Sequence, residues 1–168
     1  MREPTERVPT TREPTTQEPT IRRAVAQDAE QLTALVQESA AARGAYASLA
    51  AGYEVTPHYI ARHEVYVAVD GSGAPLGFYA LVLDPPELDL AFVADAVQGA
   101  GVGRRLIQHM LGCAAQAGIR RLRVVAHPPT EKFYLRMGAR RVGTVPPTPP
   151  RVFWARPELR FDLSQSAA

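Results

Sequence analysis

The chain predicts an α/β fold, and three observations carry that expectation. Strand-like and helix-like patterns alternate in the order β-α-α-β-β-β-α-β-α-β-β. An apolar strand pattern at 88–93 runs through a glycine-rich turn into a helical pattern at 106–111. Two alternating runs, 64–70 and 76–83, flank Gly71-Ser72-Gly73 and read as a hairpin. The 168 residues, 46% hydrophobic and 21% charged, suit one globular domain with enough apolar content for a core.

The elements follow in order. Residues 1–19 repeat Arg-Glu-Pro-Thr at 2–5 and 12–15, and Gln-Glu-Pro-Thr follows at 17–20. With few large apolar side chains and several prolines, this segment cannot bury enough surface to offset chain entropy, so a disordered tail is expected before a domain at 20–168. Residues 21–24 predict a short first strand. Asp28 suits a helix cap before Leu32, Leu35 and Val36, which recur at helical spacing. The alanine-rich stretch 41–63, with Tyr46, Tyr53 and Tyr59, predicts a second, shorter helix whose later part starts near Pro57. Asp84-Pro85-Pro86 breaks the chain between the hairpin and a fourth strand at 87–93. Residues 122–126 predict a fifth strand, and Pro128-Pro129 can open a helix holding Phe133 and Tyr134. Residues 139–145 and 154–163 supply two last strands, joined by the proline-rich 146–150.

Charge and cysteine usage exclude several classes. A net charge of +2 is too mild to argue for a nucleic-acid partner. Cys113, the one cysteine, cannot form an internal disulfide, so nothing points to an oxidising compartment. It reads as a small packing residue in a helix rather than as a nucleophile. No apolar run approaches a membrane span and no signal-peptide core is read, so a cytoplasmic protein without a membrane partner is expected. No metal site is expected, and a homodimer is left open. Lys132 is the only lysine; arginines gather at 104, 105, 120, 121, 123, 136, 140 and 141, mostly as a solvated face, with one or two free to meet an anionic ligand.

The chemistry concentrates at Val97-Gln98-Gly99-Ala100-Gly101-Val102-Gly103-Arg104-Arg105. The first N–H groups of a helix lack intrahelical partners and carry the positive end of its dipole. Glycines let the backbone approach an anion closely, and two arginines add charge, so a diphosphate fits. A plain tight turn is the bland alternative. The spacing of Gly99, Gly101 and Gly103 does not fit the dinucleotide fingerprint, and without a lysine there is no P-loop.

Gln98-Gly99-Ala100-Gly101-Val102-Gly103 resembles the Q/R-x-x-G-x-G/A turn of the GCN5-related N-acetyltransferase (GNAT) superfamily. Phe133-Tyr134-Leu135-Arg136-Met137-Gly138-Ala139 resembles the family's F-Y-x-x-x-G-F phrase, with Ala139 where the final aromatic usually stands. The resemblance covers roughly residues 19 to 163. It implies a mixed sheet with helices on both faces, in which strands 87–93 and 121–126 are parallel and splay apart, exposing backbone groups for the arm of acetyl-CoA.

The resemblance also implies roles. Gln98, Gly99, Ala100, Gly101, Val102, Gly103 and Arg104 would hold the diphosphate of acetyl-CoA. Main-chain groups of Phe92, Val93 and Ala94 would meet the arm. His127 stands where the family often has an asparagine that bonds the arm, a departure that leaves a capping histidine as an equal reading. Arg136 would lie near the nucleotide end, or be a solvated helix arginine. Tyr134 would donate a proton to the leaving thiolate, against the alternative of simple packing. Glu87 and Asp89 are candidate general bases; two apart on a strand, they are expected on the face opposite Leu88 and Leu90. Tyr46, Tyr53, His58, Tyr59, Arg151 and Trp154 fall on segments where the family's acceptor enters. The function implied is acetyl transfer from acetyl-CoA to an amine of a small molecule or protein, by direct attack in a ternary complex. A non-catalytic acyl-CoA-binding or sensing module on the same fold is the alternative.

Overall fold

The computed structural model describes residues 18–39 and 44–163. The expected tail, apart from residues 18 and 19, lies outside the described residues, as do 40–43 and 164–168. The chain starts with strand β1 (Thr20–Arg23) and helix α1 (Ala29–Glu38), followed by the short helices α2 (Ala47–Ala50) and α3 (Pro57–Arg62). Strands β2 (Glu64–Val69), β3 (Pro75–Leu83) and β4 (Pro86–Val93) come next. Helix α4 (Val102–Gln116), strand β5 (Arg121–Val125), helix α5 (Glu131–Arg136) and strands β6 (Arg140–Val145) and β7 (Arg156–Asp162) complete it. Among the described residues, seven strands form one sheet in the order β1-β2-β3-β4-β5-β7-β6. The β4–β5 pair is parallel and the others are antiparallel, so the sheet is mixed as expected.

The sheet is covered on both faces where β2, β3 and β4 cross its middle. Tyr79 and Leu81 pack with Leu106, Ile107 and Met110 of α4, while Phe78 and Ala80 pack with Leu32, Val36 and Ile60 of α1 and α3. Burial on both faces explains why β3 reads as a continuous apolar run. Helix α4 buries Val102, Leu106, Ile107, Met110 and Ala114, one stripe at helical spacing. Gly112 sits on its exposed side, and a Cβ built there meets nothing within 4 Å. Gly112→Ala is therefore expected to stabilise the fold by about 0.5–1 kcal/mol through helix propensity, read as a higher urea midpoint at unchanged slope.

Local chemistry departs from expectation in four places. Asp28 precedes α1, but its carboxylate makes no side-chain cap. It accepts instead from both Arg22 guanidinium nitrogens at 2.8 Å and from the Val25 amide at 2.7 Å. The Arg22 hydrogen bonds hold the Asp28 carboxyl below the usual carboxylate range, although burial opposes them. The alanine-rich stretch divides, and only its later part keeps the expected form: Pro57 opens α3 and the Thr56 hydroxyl accepts from the Tyr59 amide at 3.1 Å. Trp154 lies in the loop before β7, not in the strand.

The fourth departure reshapes β4. Leu81 pairs with Leu88 and Ala80 with Leu90, so Asp89 is an extra, bulged residue. The expected common face for Leu88 and Leu90 is thereby corrected: Leu88 joins the core under α4, and Leu90 joins the one under α1 and α3. A bulge resets the two-residue alternation, which a pattern argument assumes unbroken.

Candidate active site

Strands β4 and β5 pair only at Glu87↔Arg123 and Leu88↔Val124. Beyond that point β5 stays with β7, and the Ala126 amide donates to the Pro157 carbonyl at 3.0 Å. The gap between them is a cavity of about 220 Å³, with Leu88–Val93 forming one wall and residues 124–127 the other.

The main-chain groups along β4 divide by strand alternation. The Ala94 amide donates to the Leu76 carbonyl at 2.8 Å, so Ala94 and Phe92 turn their main chains toward β3. Val93, and Ala91 before it, then present theirs to the gap. Ala91 was not singled out from sequence, because assigning amides to an edge requires the strand register.

Residues Asp95–Val97 form a 3-10 turn, and Gly99 and Gly101 follow with φ of +82° and +85°. Those angles favour glycine. Gly101 caps α4, and the first intrahelical bond is from the Arg105 amide to the Gly101 carbonyl at 3.1 Å. Among the described residues, the amides of Gly99, Gly101, Val102, Gly103 and Arg104 have no backbone acceptor. Ala100 differs, since its amide donates to the Val97 carbonyl at 3.2 Å. The Gln98 side chain donates to Asp95 and also lines the cavity. Arg104 is exposed without an ion pair among the described residues, whereas Arg105 reaches Glu18 at 3.3 Å. Gly103 faces α5, and a built Cβ there would make ordinary contact with the Phe133 ring at 3.5 Å.

Tyr134 of α5 is 7% exposed and lines the cavity. Burial pushes its phenol well above the ordinary range, so it stays protonated at neutral pH. Phe133 packs edge-on against it at 5.3 Å. His127 also lines the cavity; Tyr46 and Trp154 meet edge-on at 4.8 Å, and Tyr46 meets the His127 ring at 4.3 Å. Its Nδ1 is buried without a partner, and burial lowers its pKa, leaving the imidazole neutral at pH 7. Arg136 is exposed on α5, away from the cavity lining. Cys113 is likewise absent from the lining; the Tyr79 phenol donates to its sulfur at 3.4 Å.

Of the two carboxylates, Asp89 lines the cavity and Glu87 does not. The Tyr59 phenol donates to Asp89 Oδ2 at 2.5 Å. Burial raises the Glu87 carboxyl, opposed by Arg123, which donates to it at 3.4 Å. Tyr53, Arg151, Trp154 and Arg156 close the far side of the cavity, and the Arg151 guanidinium stacks 5.3 Å from the Tyr53 ring centre. His58 lies outside this lining. Arg156 was missed from sequence: it reads as an ordinary strand arginine until the turn of β7 at the cavity is known.

A parallel pair opened at one end, beside a glycine-capped helix whose first amides lack backbone acceptors, defines a class of α/β folds with a split mixed sheet. The chain belongs to the GNAT family: the family described as "Acetyltransferase (GNAT) domain" matches residues 52–146. No curated protein matches the chain. Similar solved structures include a GCN5-related N-acetyltransferase from Rhodopseudomonas palustris, at 20% identity and a TM-score of 0.74, covering 88% of this chain and 97% of that one. A phosphinothricin acetyltransferase from Sinorhizobium meliloti, in complex with AcCoA, is 22% identical with a TM-score of 0.67, covering 90% and 91%. The ribosomal-protein-S18-alanine N-acetyltransferase of Escherichia coli is 17% identical with a TM-score of 0.67, covering 89% and 96%. Among the described residues, no helix is long and apolar enough to cross a membrane, and no group of three metal-ligating side chains converges.

Proposed function

We propose that the protein transfers an acetyl group from acetyl-CoA to an amine by direct attack. The observation that carries this reading is the split between β4 and β5, a cavity lined by the Tyr134 phenol and by Gln98, the residue that leads into the turn whose amides lack backbone acceptors. The unpaired amides of Gly99 and Gly101–Arg104 hold the diphosphate, with the Arg104 side chain adding charge and Arg136 screening the nucleotide end. The main chains of Ala91 and Val93 bond the arm as an added strand would. His127 offers its orphaned Nδ1 as an acceptor for an amide of the arm.

Acetyl-CoA supplies an activated acetyl group. The neutral amine nitrogen forms the new bond to the acetyl carbon while the carbon–sulfur bond breaks. Asp89, directly or through water, first takes the proton that the acceptor ammonium must lose; Tyr134 delivers its phenolic proton to the departing sulfur and is restored by the second proton, which the nitrogen sheds as the amide forms. Glu87, ion-paired with Arg123 and outside the cavity lining, is the less suited of the two carboxylates to this task.

Calorimetry with acetyl-CoA, desulfo-CoA and ATP tests this. The two coenzyme forms should bind alike and ATP much more weakly. Equal affinity for all three would reject the reading, because nothing would then depend on the arm in the split.

A further inference from the structure

Among the described residues, three charged side chains line the cavity: Asp89 on one wall, and Arg151 and Arg156 on the other. Most arginines elsewhere that face a carboxylate are paired, as Arg22 is with Asp28, Arg123 with Glu87 and Glu158, and Arg141 with Glu131. Arg151 and Arg156 make no ion pair within 4.0 Å among the described residues. The Nε of Arg156 is buried with no hydrogen-bond acceptor. A buried charged donor left unsatisfied is costly, and an anionic guest removes that cost. The Tyr53 phenol feels both signs, raised by burial and by Asp89 and lowered by Arg151, whose guanidinium lies over its ring. The cavity lining therefore carries a carboxylate and two guanidiniums that are not paired with one another.

We propose that the acceptor is a small amine that also carries an anionic group, in the manner of a free amino acid: its ammonium faces Asp89, and its carboxylate faces Arg151 and Arg156. This rests on the acetyl-transfer reading above. Planar guanidinium forks suit a carboxylate bidentately. A purely cationic acceptor, such as a polyamine or a lysine side chain, would meet two guanidiniums, Arg156 partly offset by Glu87 and Arg151 without an ion pair among the described residues, which disfavours it. The aromatic wall of Tyr53 and Trp154 gives apolar area for a side chain.

The test uses matched pairs that differ only in the carboxylate: L-phenylalanine and phenethylamine, L-tyrosine and tyramine, L-tryptophan and tryptamine, with the remaining amino acids as a panel. Binding is measured by calorimetry on the full chain saturated with desulfo-CoA, and thiol release is measured with acetyl-CoA. The carboxylate-bearing member should bind about tenfold or more tightly. Arg151→Met and Arg156→Gln should each erode that preference, and Arg151→Lys should restore part of it. A panel that selects the decarboxylated amines, or selects neither, overturns the inference. Turnover of decarboxylated amines alone would sink only this inference and leave acetyl transfer standing; failure to bind acetyl-CoA would sink both. Because the unmodified protein reports the preference, the result does not depend on the variants folding.

Discussion

Tyr134→Phe is expected to lower kcat about 10²- to 10⁴-fold, the span ordinarily contributed by a positioned general acid, while leaving the calorimetric Kd for acetyl-CoA unchanged. The phenol is buried and raised, so it holds its proton until a strong base appears beside it. It is therefore in its donor form when the sulfur departs, and can hydrogen-bond the developing thiolate or protonate it. Phenylalanine keeps the ring that packs against Phe133 and the core, so the fold and the coenzyme cleft should persist. The split between kcat and affinity is the diagnostic part. A residue that merely packs would change neither, and one needed for the fold would change both. Unaltered turnover in the variant would remove Tyr134 from the chemistry and leave the acyl-CoA-binding module as the better account.

The second large effect is expected at Gly77 on β3. A Cβ there would lie 2.7 Å from the Phe92 carbonyl oxygen and 3.2 Å from the Val93 Cα. Both obstacles are backbone, and a third, Leu106 Cδ1 at 3.1 Å, belongs to the core under α4. Neither side can yield without moving the β3–β4 pairing. Gly77→Val should therefore cost about 1–3 kcal/mol through overpacking, seen as a lower urea midpoint. It should also weaken acetyl-CoA binding, because the displaced residues form the wall of the split. If the midpoint falls and coenzyme affinity holds, that wall is not where the arm lies.

The two predictions rest on features of unequal legibility in the sequence. The glycine turn and the Phe133-Tyr134 phrase could be read directly, since each requires particular residue types at fixed spacing in one short segment. The alternation of strands and helices was equally plain where apolar periodicity ran unbroken, as in β3 and α4. Three things were hidden. The bulge at Asp89 has no local signature, so the side chains after it were assigned to the wrong face. Asp28 looked like a cap because caps are chosen from residue type, whereas its oxygens are held by an arginine on β1. Arg156 looked like any strand arginine, because its place in the cavity lining arises only when β7 is brought beside the gap. Local chemistry speaks through composition, while partners chosen across the sheet do not.

The supernumerary Asp89 has one more consequence. Upstream of it β4 answers to the helix on one side, through Leu88; downstream it answers to the helices on the other, through Leu90. The strand thus rivets both hydrophobic layers together at the point where the sheet parts. Loosening of either layer is transmitted to the same few ångströms of backbone, so the geometry of the crevice between β4 and β5 integrates the packing of the whole domain rather than of its nearest neighbours alone.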